Sequence, residues 1–127
     1  MNMPFELGLD HACRRFGEGK LAEKQILILE HTRYDYQKSL SDISGWDIQP
    51  HGGKFERAVR HVRSWLIAQA HAPKIGASLI LGKYIAFQEW YWEREIVAGS
   101  SPEDIKEYPT AELVQAMHEW MEAGQPD

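Results

Sequence analysis

Cysteine is nearly absent from this sequence, which contains only Cys13 among its 127 residues. A lone cysteine cannot form a disulfide within the chain, so packing has to hold the fold, as is usual in reducing compartments. The opening residues lack an apolar segment of the signal-peptide type and carry Glu6 and Asp10. The apolar runs are also far shorter than a membrane span. We therefore expect a cytoplasmic protein.

An excess of positive charge is lacking as well. Lys and Arg together number 14 against 19 Asp and Glu, which gives a formal net charge of -5. Binding to nucleic acid or to an anionic membrane needs clustered Lys and Arg, so this composition argues against both partners. Hydrophobic residues make up 43% of the chain, a value typical of globular proteins. The length fits one domain that spans residues 1–127.

Strong strand patterns are scarce. Only residues 25–30 form a continuous apolar run that is too short for a buried helix. Such a run is typical of a strand covered on both faces in a parallel sheet. A single strand leaves its backbone donors and acceptors unpaired. We therefore expect weaker strands, a partner chain or an upstream segment to complete the sheet.

Helical periodicity dominates the rest of the chain. Ser101, Pro102 and Asp104 have the spacing of a capping box, and Thr110 is a candidate cap for the last helix. The predicted helices cover residues 4–16, 33–40, 54–70 and 75–97, a short segment from Pro102, and a final segment from Thr110. These patterns predict an α/β fold that is mostly helical, an incomplete flavodoxin-like or Rossmann-like domain with few parallel strands and about five to six helices.

The opening segment carries the most informative motif. Residues 3–10 read MPFELGLD, which resembles the helix start of the nucleoside 2-deoxyribosyltransferase-like and TIR-like superfamily. In that superfamily a short helix after a strand presents a glutamate to the glycosidic bond of a nucleoside or NAD, and Glu6 matches this glutamate. The chain also resembles a group of uncharacterised bacterial proteins that share this segment, an apolar strand, the loop at residues 41–47 and a following His51. The superfamily has strands before this helix, whereas this sequence starts at the helix, so the alternatives are a truncated sequence, a degenerate family member or a half-domain that a partner completes.

Glu6 is therefore the candidate catalytic residue. Cleavage of an N-glycosidic bond builds positive charge at the sugar C1′, and a nearby carboxylate can stabilise that charge or attack the carbon. A first-turn position places Glu6 near the positive end of the helix dipole, which favours the ionised form. The alternative is that Glu6 only satisfies backbone N–H groups of the first turn.

The loop after the predicted strand supplies candidate ligand-binding residues. Ligands of open α/β sheets bind beyond the strand ends, so Ser41, Asp42, Ser44, Asp47 and His51 can hydrogen-bond a ribose or base there. The alternative is that the Asp and Ser side chains form turns and helix caps and that His51 is a surface residue.

Metal ligands are not predicted. The sequence has six histidines, none paired with a second His or Cys at ligand spacing, so we expect neither a metal nor another cofactor. Three arginines at helical spacing, Arg57, Arg60 and Arg63, could bind a phosphate, although a solvated helix face is the default expectation for them.

Two functional hypotheses follow. In the first, the chain is a nucleotide-related domain that cleaves or senses N-glycosidic bonds of nucleosides or NAD, with a nucleoside or nucleotide as ligand. In the second, it is a non-catalytic oligomerising domain with an interaction or regulatory role. Broad apolar stripes on the helix over residues 75–97, including the aromatic run at 90–92, favour a homodimer in either case.

Overall fold

The structure is a computed structural model that describes residues 3–34 and 47–126, with the backbone alone for residues 3–5. Contacts divide the chain into two compact units, Met1–Lys74 and Ile75–Asp127. The single domain over residues 1–127 stays a prediction. The described elements are helix α1 (Met3–Phe16), a 3₁₀ turn (Gly19–Leu21), strands β1 (Leu27–Glu30) and β2 (Asp47–Pro50), and helices α2 (Phe55–Ala70), α3 (Ala77–Val97), α4 (Pro102–Glu107) and α5 (Thr110–Glu122).

The sheet of the first unit contains two parallel strands among the described residues. Leu27 pairs with Asp47 at one end of the register, and Glu30 pairs with Pro50 at the other. The strand predicted within residues 25–30 is confirmed, and β2 is the weaker strand that β1 needs for its backbone hydrogen bonds. The described chain combines this strand pair with five helices, which confirms the predicted α/β class with mostly helical content.

Helix α2 packs against both strands of the sheet. It follows Lys54, and Glu56 lies in its first turn, where a carboxylate interacts favourably with the helix dipole. His71, in the left-handed conformation with φ 53°, ends it. The helix predicted over residues 54–70 is thereby confirmed. Even so, no side chain that the structure describes in residues 6–34 and 47–74 is both apolar and fully buried, so the described residues cover β1 only in part.

The second unit has a compact aromatic core. The ring of Phe87, which is 1% exposed, lies 5.8 Å from the rings of Tyr91 and Trp120. Phe87 and Tyr91 are four residues apart on α3, so both side chains lie on one face of the helix. Burial raises the pKa of the Tyr91 hydroxyl. In the aromatic run at 90–92, Tyr91 is therefore a core residue, whereas Trp92 is 39% exposed.

The short helix α4 begins with the capping box that the sequence predicts. Ser101 Oγ accepts the N–H of Asp104 at 3.2 Å, and Asp104 Oδ2 accepts the N–H of Ser101 at 2.9 Å. Pro102 occupies the first turn, where its missing N–H removes no helical hydrogen bond. The predicted cap of α5 is displaced by one residue, since Pro109 is the cap and Thr110 is the first helical residue.

Nowhere in residues 3–34 and 47–126 does a helix combine the length and apolar content needed to cross a membrane.

Candidate functional site

The carboxyl ends of β1 and β2 place two histidines side by side. Beyond the last strand pair, the N–H of His51 donates to the carbonyl of Glu30 and the N–H of Gly52 donates to the carbonyl of His31, both at 2.8 Å. These bonds extend the parallel pairing past the strands. The rings of His31 and His51 consequently lie edge to face, with centroids 5.7 Å apart.

A two-glycine loop connects β2 to α2. Gly52 and Gly53 have φ values of 61° and 72°, a region that other residues rarely adopt. The N–H of Gly53 donates to His51 Nδ1 at 3.1 Å, so this bond ties the loop to the His51 ring. The loop is also close to His31: a Cβ added at Gly53 would lie 3.1 Å from His31 Nε2. Backbone conformation thus favours glycine at both positions, and the nearby His31 ring favours it further at Gly53.

An open cavity of about 420 Å³ lies at this end of the sheet. We call it the arginine cavity, because Arg33 follows β1 and Arg57 belongs to the first turn of α2, so the two side chains approach from different elements. Its volume falls within the range of small-molecule sites. The arginine cavity is lined by Arg33, Ile48, Gln49, Pro50, Arg57 and His61.

A second cavity of about 350 Å³ lies between the sheet and α2. We call it the Trp65 cavity. It shares Gln49 and His61 with the arginine cavity, so these two residues form a common wall. His61 Nε2 lies 3.2 Å from the carbonyl oxygen of Pro50, and because a carbonyl only accepts, Nε2 is the donor. The Trp65 cavity is lined by Leu27, Asp47, Gln49, His61, Ser64, Trp65, Ala68 and Gln69.

One carboxyl group is buried at the strand ends. Glu30 is 8% exposed, and its Oε1 accepts the N–H of Tyr34 at 2.9 Å. This bond stabilises the turn that follows β1 and contains Arg33. Arg33 in turn lies over the Tyr34 ring, with its guanidinium carbon 5.1 Å from the ring centroid. The buried acid therefore helps to position one of the two arginines.

The predicted site residues are distributed unevenly around these cavities. Glu6 is exposed on α1 and lines neither cavity. Asp47 begins β2 and lines the Trp65 cavity, and His51 lies directly beyond the same strand. The other candidates in the predicted loop lie outside the described residues: Ser41, Asp42 and Ser44. The catalytic role of Glu6 and the ligand-binding roles of the others stay predictions.

Three residues of the site were not singled out from the sequence. Arg33 has no neighbouring arginine in the sequence, and His61 is one of six histidines. Trp65 lies on an amphipathic helix, where a core position is the ordinary expectation. The only available signal was helical spacing, which places Arg57, His61 and Trp65 four residues apart on one face of α2.

Within residues 3–34 and 47–126, no group of three or more His, Cys, Asp or Glu residues is arranged to hold a metal ion.

Comparisons with protein-family models, with curated proteins and with solved structures find no match to this chain.

Proposed function

We propose that this chain is a nucleotide-binding domain that takes the phosphate of its ligand between Arg33 and Arg57, and that it senses or cleaves the N-glycosidic bond of that ligand. The proposal is carried by one observation: two guanidinium groups from different elements line one cavity at the carboxyl ends of parallel strands. Ligands of open α/β sheets bind in this position.

The chemistry of the arginine cavity fits an anionic group. A guanidinium presents its N–H donors in a planar fork that matches two oxygens of a phosphate, and two such forks can share the charge of one phosphate. The amino-terminal end of α2 adds the partial positive charge of the helix dipole on the same side. The chain as a whole has a net charge of -5, so a local cluster of arginines is needed to attract an anion.

The catalytic part of the proposal rests on Glu6 and on the resemblance of residues 3–10 to glycosidic-bond-cleaving proteins. The exposed side chain of Glu6 is accessible to a ligand or to another chain. An ionised carboxylate beside C1′ would stabilise the positive charge that develops as the base departs. Binding of the nucleotide is the part that the geometry of the first unit supports best.

Titration calorimetry with NAD, ADP-ribose, adenosine monophosphate and adenosine tests the proposal. We expect the phosphate-bearing ligands to bind more tightly than adenosine. Arg57→Gln should weaken their binding roughly ten- to a hundredfold, the effect of losing one charge-assisted hydrogen bond. Arg60→Gln is the matched control, because Arg60 lies on the same helix but lines neither cavity. Equal binding by the Arg57 and Arg60 variants would contradict the proposal.

The second candidate function is that of an oligomerising domain that forms a homodimer. Large apolar side chains of α3 are exposed at helical spacing, with Ile85 at 53%, Trp92 at 39% and Ile96 at 41%. Several exposed apolar side chains on one helix are a feature of interaction surfaces. Light scattering at micromolar concentration tests this candidate: a homodimer has twice the chain mass of 14.7 kDa, and a monomer at that concentration would contradict it.

A further inference from the structure

A tryptophan that lines the Trp65 cavity has a hydrogen-bond donor with no acceptor. The indole Nε1 of Trp65 is buried and has no hydrogen-bond partner among the residues that the structure describes. Buried polar groups are nearly always paired, so an unpaired one calls for a specific explanation. A ligand that brings an acceptor to this wall of the cavity is such an explanation, since Trp65 itself lines the cavity.

The two cavities differ in charge although they share a wall. The arginine cavity is lined by two cationic side chains and no carboxylate. The Trp65 cavity is lined by one carboxylate, Asp47, together with uncharged polar groups and the indole. A ligand that occupies both cavities therefore needs an anionic end and an uncharged end that both donates and accepts hydrogen bonds. A nucleoside monophosphate has both: the phosphate is the anionic end, and the nucleoside is the uncharged end.

We propose that the Trp65 cavity holds the nucleoside part of a nucleoside monophosphate whose phosphate lies between Arg33 and Arg57. This inference rests on the proposed function and adds the place and chemistry of a second subsite. The Trp65 N–H donates to an oxygen or ring nitrogen of the nucleoside, and the Asp47 carboxylate accepts from an amine, a ring N–H or a ribose hydroxyl. Gln49 and His61 lie where the phosphate and nucleoside parts join.

The indole has to move slightly for this contact. Its N–H is shielded in the free protein, so a ligand atom reaches it after a small rotation of the ring. Side-chain rotations of this kind are common when a ligand binds, whereas the backbone moves little.

Trp65→Phe separates a binding role from a structural one. The substitution removes the N–H and keeps an aromatic ring, so it deletes a buried donor that is unpaired in the free protein. Removing such a donor does not cost a hydrogen bond of the folded state. The smaller ring packs less well, so we expect a modest fall in melting temperature, while the affinity for nucleoside monophosphate falls about fivefold, as for one neutral hydrogen bond. A purely structural tryptophan would lower the melting temperature and leave the affinity unchanged.

The experiment compares wild type, Trp65→Phe, Asp47→Asn and the control Trp92→Phe by titration calorimetry and thermal shift. Trp92 is an exposed tryptophan in the other unit. The probes are adenosine, guanosine, cytidine and uridine 5′-monophosphate, with ribose 5-phosphate as the ligand that lacks a base. We expect one monophosphate to bind wild type more tightly than ribose 5-phosphate does. Trp65→Phe should then reduce that difference and Trp92→Phe should not.

The outcomes distinguish this inference from the proposed function. If neither ribose 5-phosphate nor any monophosphate binds, the phosphate site itself is refuted. If all bind equally, or if Trp65→Phe and Asp47→Asn both bind the preferred monophosphate as wild type does, only the nucleoside subsite is refuted. Should Trp65→Phe lower the melting temperature strongly, Asp47→Asn decides, because Asp47 is exposed and its amide variant keeps the same shape. Unchanged affinity in that variant overturns the inference.

Discussion

The two glycines between β2 and α2 give a matched pair of substitutions at the candidate site. Both have positive φ, 61° for Gly52 and 72° for Gly53. An alanine in this conformation costs about 1–2 kcal/mol because its Cβ crowds the backbone. At Gly52 the added Cβ meets only the Arg57 guanidinium at 3.7 Å, an ordinary contact. Gly52→Ala therefore measures the cost of the backbone conformation alone, and we expect a loss of about 1–2 kcal/mol.

Gly53→Ala carries a second cost. Its Cβ would lie 3.1 Å from His31 Nε2, closer than a carbon normally approaches that ring. His31 is exposed, so the ring yields by rotating, and a side chain forced away from its rotamer costs about 0.5–1.5 kcal/mol. Rotation also disturbs the edge-to-face contact with His51. The total expected for Gly53→Ala is about 1.5–3.5 kcal/mol, larger than for Gly52→Ala.

Urea unfolding followed by circular dichroism measures both losses, and NMR of the histidine ring protons reports the displacement of His31. We expect the Gly53 variant to shift the His31 and His51 resonances and the Gly52 variant to shift them less. The reasoning is refuted if the two variants lose the same free energy of unfolding and leave the ring resonances alike, because the loop would then not constrain His31.

Two further predictions concern Glu6 and the capping box of α4. Glu6→Gln should abolish any release of a base from nucleosides, measured by mass analysis, while the melting temperature stays nearly constant because Glu6 is exposed; full cleavage by the variant would remove Glu6 from consideration. Hydrogen bonds from the backbone and side chain of Ser101 lower the pKa of Asp104 in the folded state. The ionised Asp104 therefore contributes to stability above the unfolded-state pKa of about 3.9, and this contribution is lost as the pH falls through the pKa of the folded state. The wild type should therefore lose more stability than Asp104→Asn between about pH 5 and about pH 3 in urea unfolding, and equal losses would contradict this.

The fold was predictable where local patterns decide it. Residues 25–30 and the helical stripes specify β1 and the helices through apolar spacing, and the capping box of α4 is encoded within four residues. Strand β2 was not predictable, because Ile48 is its only aliphatic residue and it ends at Pro50. Its extended conformation depends on pairing with β1, which is distant in the sequence. The strand propensity of residues 47–50 by itself does not reveal such a pairing partner.

The site was less predictable than the fold for the same reason. Arg33 and Arg57 are 24 positions apart in the sequence, and they line one cavity because β1 and β2 pair in parallel. Only Arg57 was a candidate from helical spacing. Asp47 was predicted as a loop ligand, and it lines a cavity as the first residue of a strand. Trp65 gave no signal beyond its helical spacing, since an unpaired buried N–H is a property of the three-dimensional surroundings.

Binding and cleavage make different demands on this chain. The proposed binding of a nucleoside monophosphate would use Arg33, Arg57 and Trp65, which belong to one unit and line two adjoining cavities. Cleavage needs a carboxylate about 3–3.5 Å from the sugar C1′, and Glu6 lines neither cavity. A sensor therefore requires only the arrangement that exists in the first unit, whereas an enzyme also requires Glu6 to reach the ligand. For this reason, nucleotide affinity that depends on Arg57 but not on Glu6 is the pattern we expect first, with cleavage following only where Glu6 is brought to the site.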